Sequence, residues 1–329
     1  MRILVTGASG FIGSLLAPRL CSEGHTVRAL GREPARVEAA LSRGWPTRRA
    51  AQLEVVRGDA LSGSGLDRAL AGVEVAYYLI HSMEPSPAPG SFSVREGIAA
   101  ENFCAAAQRA GVRRIVYLGG LVPRWGATGK NGGHATPEPG SRHLASREHV
   151  ERVLLDGIED SIALRASIVI GARSRSFRLL VRLIERMPVL ALPAWQRFRT
   201  QPIDARDVIA MLAACATPER GARHLEIGGP DVLSYGEMLG RIAELMIVNR
   251  PALRLRLRLN LTSVTARVAA AIAGEDPELV LALMEGLQGD LLPSEDRAAE
   301  LLGVRLHSFD AAVEHALGEW EQTERLAAR

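Results

Sequence analysis

Ile3-Leu4-Val5-Thr6-Gly7-Ala8-Ser9-Gly10-Phe11-Ile12-Gly13 opens the chain with a short apolar run, breaks into three spaced glycines, and continues with helical apolar spacing through Leu15, Leu16 and Leu20. The pattern is a strand, a tight turn and a helix start. Gly7 permits the turn, Gly10 lets the backbone approach an anion, and Gly13 lets the helix pack close to the strand. Amide groups at the new helix N-terminus then face that anion. With the strand before it and the helix after it, the glycine triplet reads as a dinucleotide site rather than an ordinary glycine-rich turn.

Working outward, strand patterns recur at His25 to Leu30, Leu53 to Asp59, Val73 to Ile80, Arg114 to Leu118 and Ile162 to Ile170. Helical patterns lie between them: one opens near Pro34, another runs from Val94 to Ala110 before Gly111, and a third spans Ser146 to Leu155. Strands alternating with helices predict an α/β fold, a doubly wound parallel sheet of Rossmann type. Beyond the sixth strand come a helix from Ser174 to Arg186, a Pro-rich turn, a helix opening at Asp204, a strand at His224 to Ile227, and further helices. The expected organisation is a nucleotide-binding domain over residues 1–170 and a smaller, mostly helical substrate lobe over 171–329, with a strand and a helix returning to the first. Glu84 to Ser91 and Gly126 to Gly140 read as loops, either lids over a ligand or plain surface loops.

At 329 residues, with a net charge of +3 and basic residues scattered among acidic ones, the chain reads as an ordinary globular protein without a nucleic-acid surface. Cys21, Cys104 and Cys215 are distant from one another and lie in apolar surroundings, so they read as reduced core residues; no metal site is expected. No apolar run reaches the length of a membrane span, and the opening run is too short for a signal peptide, which predicts a cytoplasmic protein with no membrane partner.

Motifs along nearly the whole chain resemble the short-chain dehydrogenase/reductase superfamily, in its extended and atypical branches of NmrA-like and epimerase-like NAD(P)-binding proteins. They are TGASGFIG at Thr6 to Gly13, Arg57-Gly58-Asp59, Ala76 to Met83, Arg114 to Gly120, Leu164 to Gly171, Gln201 to Val208, and Asp296 to Gly303. The resemblance implies that Gly7, Ser9, Gly10, Phe11, Ile12 and Gly13 hold the pyrophosphate. It places Asp59 and Ala60 beside the adenine and Leu79, Ile80 and His81 beside the ribose, with Leu118, Gly119, Ala166, Ser167 and Ile168 completing the cofactor site. A carboxylate accepting from an amino group is sound chemistry for Asp59, although Gly58-Asp59 also reads as a turn cap.

At the end of the second strand, where an NAD site usually carries an acidic residue, the chain has Gly31 and then Arg32, with Arg36 one turn on. A guanidinium meets a phosphate bidentately, so NADP(H) is favoured over NAD(H). Members with the usual chemistry carry a Ser or Thr after the fifth strand and Tyr-x-x-x-Lys on the next helix. Here Gly120 stands at the serine position, His143 at the tyrosine position and Arg147 at the lysine position, on one helix face. His143 is then the candidate proton donor and Arg147 the ribose anchor, with Lys130, His134, His81 and Ser82 as further polar groups.

Three structural readings stay attached to these motifs. Tyr77 and Tyr78 face opposite sides of their strand, sending one into packing and leaving the other to approach the nicotinamide end. Leu253 to Leu259 alternates with arginines as a strand with a basic face, either solvated or anion-binding. Trp125 and Trp195 belong to a substrate pocket or to the core. The function expected from all this is hydride transfer between NADP(H) and a small organic carbonyl, imine or enone, with homo-oligomerisation left open. The alternatives are a non-catalytic NADP-binding redox sensor or regulator, and a structural subunit resembling the accessory Rossmann-like subunit of respiratory complex I.

Overall fold

A computed structural model describes residues 1–43, 52–80, 91–122, 142–187, 190–192, 194–217, 223–248, 252–254, 262–274, 276–277, 280–281, 289–295, 297–324 and 326. The chain begins in the middle of its sheet: β1 (Arg2–Val5) leads through the glycine turn into α1 (Phe11–Ser22). β2 (Thr26–Gly31), α2 (Pro34–Leu41, with Pro34 in its first turn) and β3 (Leu53–Arg57) then build outward on one side. After α3 (Leu66–Leu70) the chain crosses to the other side of β1. There it lays down β4 (Val75–Tyr78), α4 (Ser91–Arg109), β5 (Arg114–Gly120), α5 (Arg142–Gly157) and β6 (Ile162–Ala166). Gly111, with φ +69, turns the chain out of α4.

The predicted sixth strand, Ile162 to Ile170, is two strands. β6 stays in the main sheet, whereas β7 (Val169–Ile170) pairs in parallel with β10 (Ile203–Asp204) outside it. The change of partner falls at Ser167 and Ile168: the Ser167 amide donates to the Ile227 carbonyl and the Ile203 amide to the Ile168 carbonyl. The apolar run continues through the break, so the sequence carries no mark of it. Between β7 and β10 lie α6 (Arg175–Arg186), β8 (Leu190–Leu192) and β9 (Arg199–Thr200). The segment read as a Pro-rich turn therefore contains the short strand β8, paired with β13 (Ala252–Arg254). The basic alternation expected to follow, from residue 255 on, lies outside the described residues.

α7 (Ala205–Ala214) is capped by the Asp204 carboxylate, which accepts from the Arg206 amide, and it leads to β11 (His224–Ile227). β11 pairs in parallel with β6, giving a seven-stranded parallel sheet in the order β11-β6-β5-β4-β1-β2-β3. β12 (Leu233–Ser234), α8 (Tyr235–Leu245) and α9 (Thr262–Ala273) follow, and the helix Phe309–Glu321 is the last.

Strand alternation divides the core. Ile3 and Val5 pack with α1 and α7 on one face, and Leu4 packs with Ala76, Tyr78, Phe103 and Tyr117 on the other. A separate core around Phe177, Tyr235, Met238 and Trp320 holds the C-terminal helices together. Both β4 tyrosines are packing residues, which corrects the expectation that one approaches the cofactor: Tyr78 contacts Phe103 edge-on, and the buried Tyr77 hydroxyl donates to the Leu212 carbonyl at 2.8 Å. The three cysteines are buried and none is in a disulfide.

Candidate dinucleotide site

The order of the sheet reverses between β1 and β4, and the carboxyl ends of these strands open into a cavity of about 750 Å3. Its floor is the glycine turn. Gly7 adopts φ +62, and a Cβ there would stand 2.5 Å from the Leu79 carbonyl oxygen. A Cβ on Gly13 would stand 2.4 Å from the Gly7 carbonyl oxygen, so the turn and the helix touch through backbone alone. Thr6 ties the turn to β4: its hydroxyl donates to the Tyr77 carbonyl and accepts from the Leu79 amide, each at 3.0 Å. Gly10 caps α1 without any side-chain hydrogen bond, leaving the first-turn amides to an incoming anion.

At one end of the cavity stand Gly31, Arg32, Glu33, Arg36 and the turn Gly58 to Leu61. A Cβ on Gly31 would meet the Val37 Cγ2 at 2.4 Å, so glycine is what lets α2 close against β2. Asp59 is both a turn cap and a wall residue. Its carboxylate accepts from the Leu61 amide and the Ser62 hydroxyl, each at 3.1 Å, and it keeps further lone pairs. The Asn102 amide from α4 pins this turn through the Ala60 and Leu61 carbonyls.

Leu79, Ile80, Leu118, Gly119, Gly120 and Ala166 to Val169 line the other end. Arg147 reaches it from α5, and a Cβ on Gly120 would lie only 2.6 Å from its Nη1. The guanidinium thus fills the space that a side chain at Gly120 would take. Of the residues expected to hold cofactor, Gly7, Ser9, Gly10, Phe11, Ile12, Gly13, Arg32, Asp59, Ala60, Leu79, Ile80, Leu118, Gly119, Arg147, Ala166, Ser167 and Ile168 all line this one cavity. His81 lies outside the described residues, as do Ser82, Trp125, Lys130 and His134. His143 is in the first turn of α5, and its side chain lies outside them too.

The wall contributed by the second half of the chain was missed: Arg173 to Ser176, Leu179, Leu180, Tyr235, Met238 and Leu291. The alternation Arg173-Ser174-Arg175-Ser176 at a helix start was its available signal. Arg173 Nη1 donates to the Ser14 hydroxyl of α1 at 2.8 Å, beside the glycine turn. Burial lowers its pKa from the usual arginine value, and the charge of Arg43 adds to the effect. Behind this wall the Ser167 and Thr200 hydroxyls lie 3.1 Å apart, and Thr200 also hydrogen-bonds the Tyr235 hydroxyl. Trp195 packs edge-on against Tyr235 and does not line the cavity itself.

A protein family described as NAD(P)H-binding matches residues 7–131 of this chain. The stretch contains the glycine turn, Arg32, Asp59 and the end of β5. Residues 7–131 thus resemble an NAD(P)H-binding domain. The 3 beta-hydroxysteroid dehydrogenase/Delta 5-->4-isomerase of Mycobacterium tuberculosis is 34% identical over 124 residues, which is 35% of this chain and 30% of that enzyme. The chain thus spans under a third of the length of that relative. The (4-alkanoyl-5-oxo-2,5-dihydrofuran-3-yl)methyl phosphate reductase of Streptomyces griseus is 27% identical over 95% of this chain and 98% of its own. Among solved structures, the UDP-glucuronic acid 4-epimerase of Bacillus cereus, in complex with UDP-glucuronic acid and NAD, superposes with a TM-score of 0.69 at 18% identity. That superposition covers 98% of this chain and all of the epimerase. The chain shares the fold of that epimerase, a doubly wound parallel sheet of Rossmann type with a helical C-terminal part, the fold class expected from the sequence. Among the described residues no helix is long and apolar enough to cross a membrane.

Proposed function

We propose that the protein is an NADP(H)-dependent reductase of the atypical short-chain type, cytoplasmic, acting on a small organic carbonyl, imine or enone. The observation that carries this reading is that one cavity joins a dinucleotide cradle to an apolar chamber walled by Leu179, Leu180, Tyr235, Met238 and Leu291. A redox sensor has no need of that chamber. The glycine cradle fits a pyrophosphate, since the first-turn amides of α1 have no side-chain cap and the turn packs close to the helix through backbone alone. In this reading Arg32 and Arg36, which line the cavity, recognise the 2′-phosphate, and Arg173 adds a guanidinium beside α1. When bound, the nicotinamide supplies the hydride. In this reading Arg147 holds the ribose hydroxyls, its Nη1 edge turned toward Gly120, and His143 delivers the proton. The full-length similarity to a reductase supports the assignment.

Stereospecifically deuterated NADPH tests it. Label should appear in the product of at least one carbonyl, imine or enone in a substrate screen, and NADPH should bind more tightly than NADH. Arg32→Ala should remove about 1–3 kcal/mol of that preference. A histidine acid makes the reduction rate fall as pH rises through about 5 to 8, and His143→Ala should lower turnover about 10²- to 10⁴-fold. A protein that binds NADPH, transfers no label, and changes its affinity for a partner with cofactor redox state is a sensor instead.

A further inference from the structure

Six arginines among the described residues line the cavity, against two carboxylates, Glu33 and Asp59. Both carboxylates lie at the Arg32 end and both are engaged: Glu33 with Arg36 at 3.4 Å, Asp59 within its own turn. Among the described lining residues the Gly120 end carries two arginines, Arg95 and Arg147, and no carboxylate, the buried Glu96 lying behind them in the contact between α4 and α5.

Arg95 leaves α4 one turn before Ala99, which lines the same cavity. Arg147 leaves α5 beside Gly120. The residues adjacent to them pin the two helices together: the Ser146 hydroxyl donates to the Glu96 carboxylate at 2.7 Å, and both are buried. Both guanidinium side chains line the one cavity. The Nε of each is sealed from solvent and has no hydrogen-bond partner. Both side chains line the cavity, and an oxyanion bound between them offsets the cost of two like charges in one wall. Ribose hydroxyls supply Arg147 with neutral acceptors only and leave Arg95 unmatched. Planar guanidinium forks meet a carboxylate or phosphate bidentately.

We infer that Arg95 and Arg147 form an oxyanion subsite, and that the substrate reduced in this cavity carries a phosphate or carboxylate group held there. The inference rests on the reductase reading. It narrows the substrate from any small carbonyl, imine or enone to an anionic one, with its charged group next to the place vacated by the missing serine.

The test uses the full-length protein saturated with NADPH, so that the nucleotide's own phosphate positions are filled. n-Butyl phosphate and butyrate are titrated into it by calorimetry, with n-butanol as the neutral control. At least one of the anions should bind, n-butanol should not, and Arg95→Gln should weaken anion binding at least about tenfold while NADPH affinity stays within about twofold. Arg95→Lys should retain part of the affinity. Tighter n-butyl phosphate identifies a phosphate monoester, and equal or tighter butyrate a carboxylate. An NADPH-loaded protein that binds neither anion, or an Arg95→Gln variant that binds them as well as wild type, overturns the subsite and leaves the reductase reading standing. A protein that fails to bind NADPH overturns both.

Discussion

Gly13 shows how much of the site depends on a hydrogen atom in place of a side chain. Its missing Cβ would lie 2.4 Å from the Gly7 carbonyl oxygen and 2.9 Å from the Ala8 Cα, both backbone atoms that cannot swing away. Gly13→Ala should therefore push α1 off the glycine turn and weaken NADPH binding by about tenfold or more, measurable by quenching of cofactor fluorescence in a variant whose circular dichroism is unchanged. Unaltered affinity would show that the turn does not contact the cofactor. Gly120 is the opposite case, because the atom nearest its absent Cβ is the far end of the flexible Arg147 side chain. The glycine turn was legible in the sequence because backbone geometry restricts those positions to one residue type. Arg95 was not, since an arginine on a helix looks the same whether it faces water or a cavity.

Helix α8 has ends of opposite quality. At its start, the Ser234 hydroxyl accepts from the Glu237 amide while the Glu237 carboxylate accepts from the Ser234 amide, a complete capping box. The Ser234 amide, followed by its hydroxyl, holds the Glu237 carboxyl below the usual carboxylate range. A depressed folded pKa means that this stabilisation is present at neutral pH and is lost as pH falls through the folded value. Ser234→Ala should cost about 1 kcal/mol at neutral pH and less in acid, read from urea midpoints.

At the end of α8, Ile247 carries φ +60 and is 80% exposed, while its amide and that of Val248 close the helix onto the Glu244 and Ala243 carbonyls. A β-branched residue is held in the left-handed conformation that suits glycine. Ile247→Gly should raise stability by about 1 kcal/mol, and an unchanged or lower midpoint would refute the strain. Periodicity made most helices and strands readable at this scale. It failed at Ser167, where an unbroken apolar run changes hydrogen-bonding partner.

The two halves of the chain are interleaved across the whole molecule. β11 closes the edge of the sheet beside β6, α7 packs on α1, and the Arg114 side chain at the start of β5 donates to the Asp160 and Cys215 carbonyls. The motifs suggested a boundary at residue 170. A strand and a helix returning to the first part were expected too; their partners, β6 for β11 and α1 for α7, are set by long-range pairing that local pattern does not encode. Because the cavity takes walls from both halves, saturating NADPH should stabilise the protein as one unit, by about 2.7 kcal/mol at a hundredfold excess over Kd, visible as a single shifted melting transition.

The place of β11 also sets an order of events during synthesis. When residues 1–170 have left the ribosome, six strands are complete, but β6 still presents a bare row of amides and carbonyls, the kind of edge that recruits other chains. Only the arrival of His224–Ile227 covers it. A nascent chain stalled before that point should stay protease-sensitive and prone to aggregate, and one stalled after β11 has emerged should turn protease-resistant in a single step.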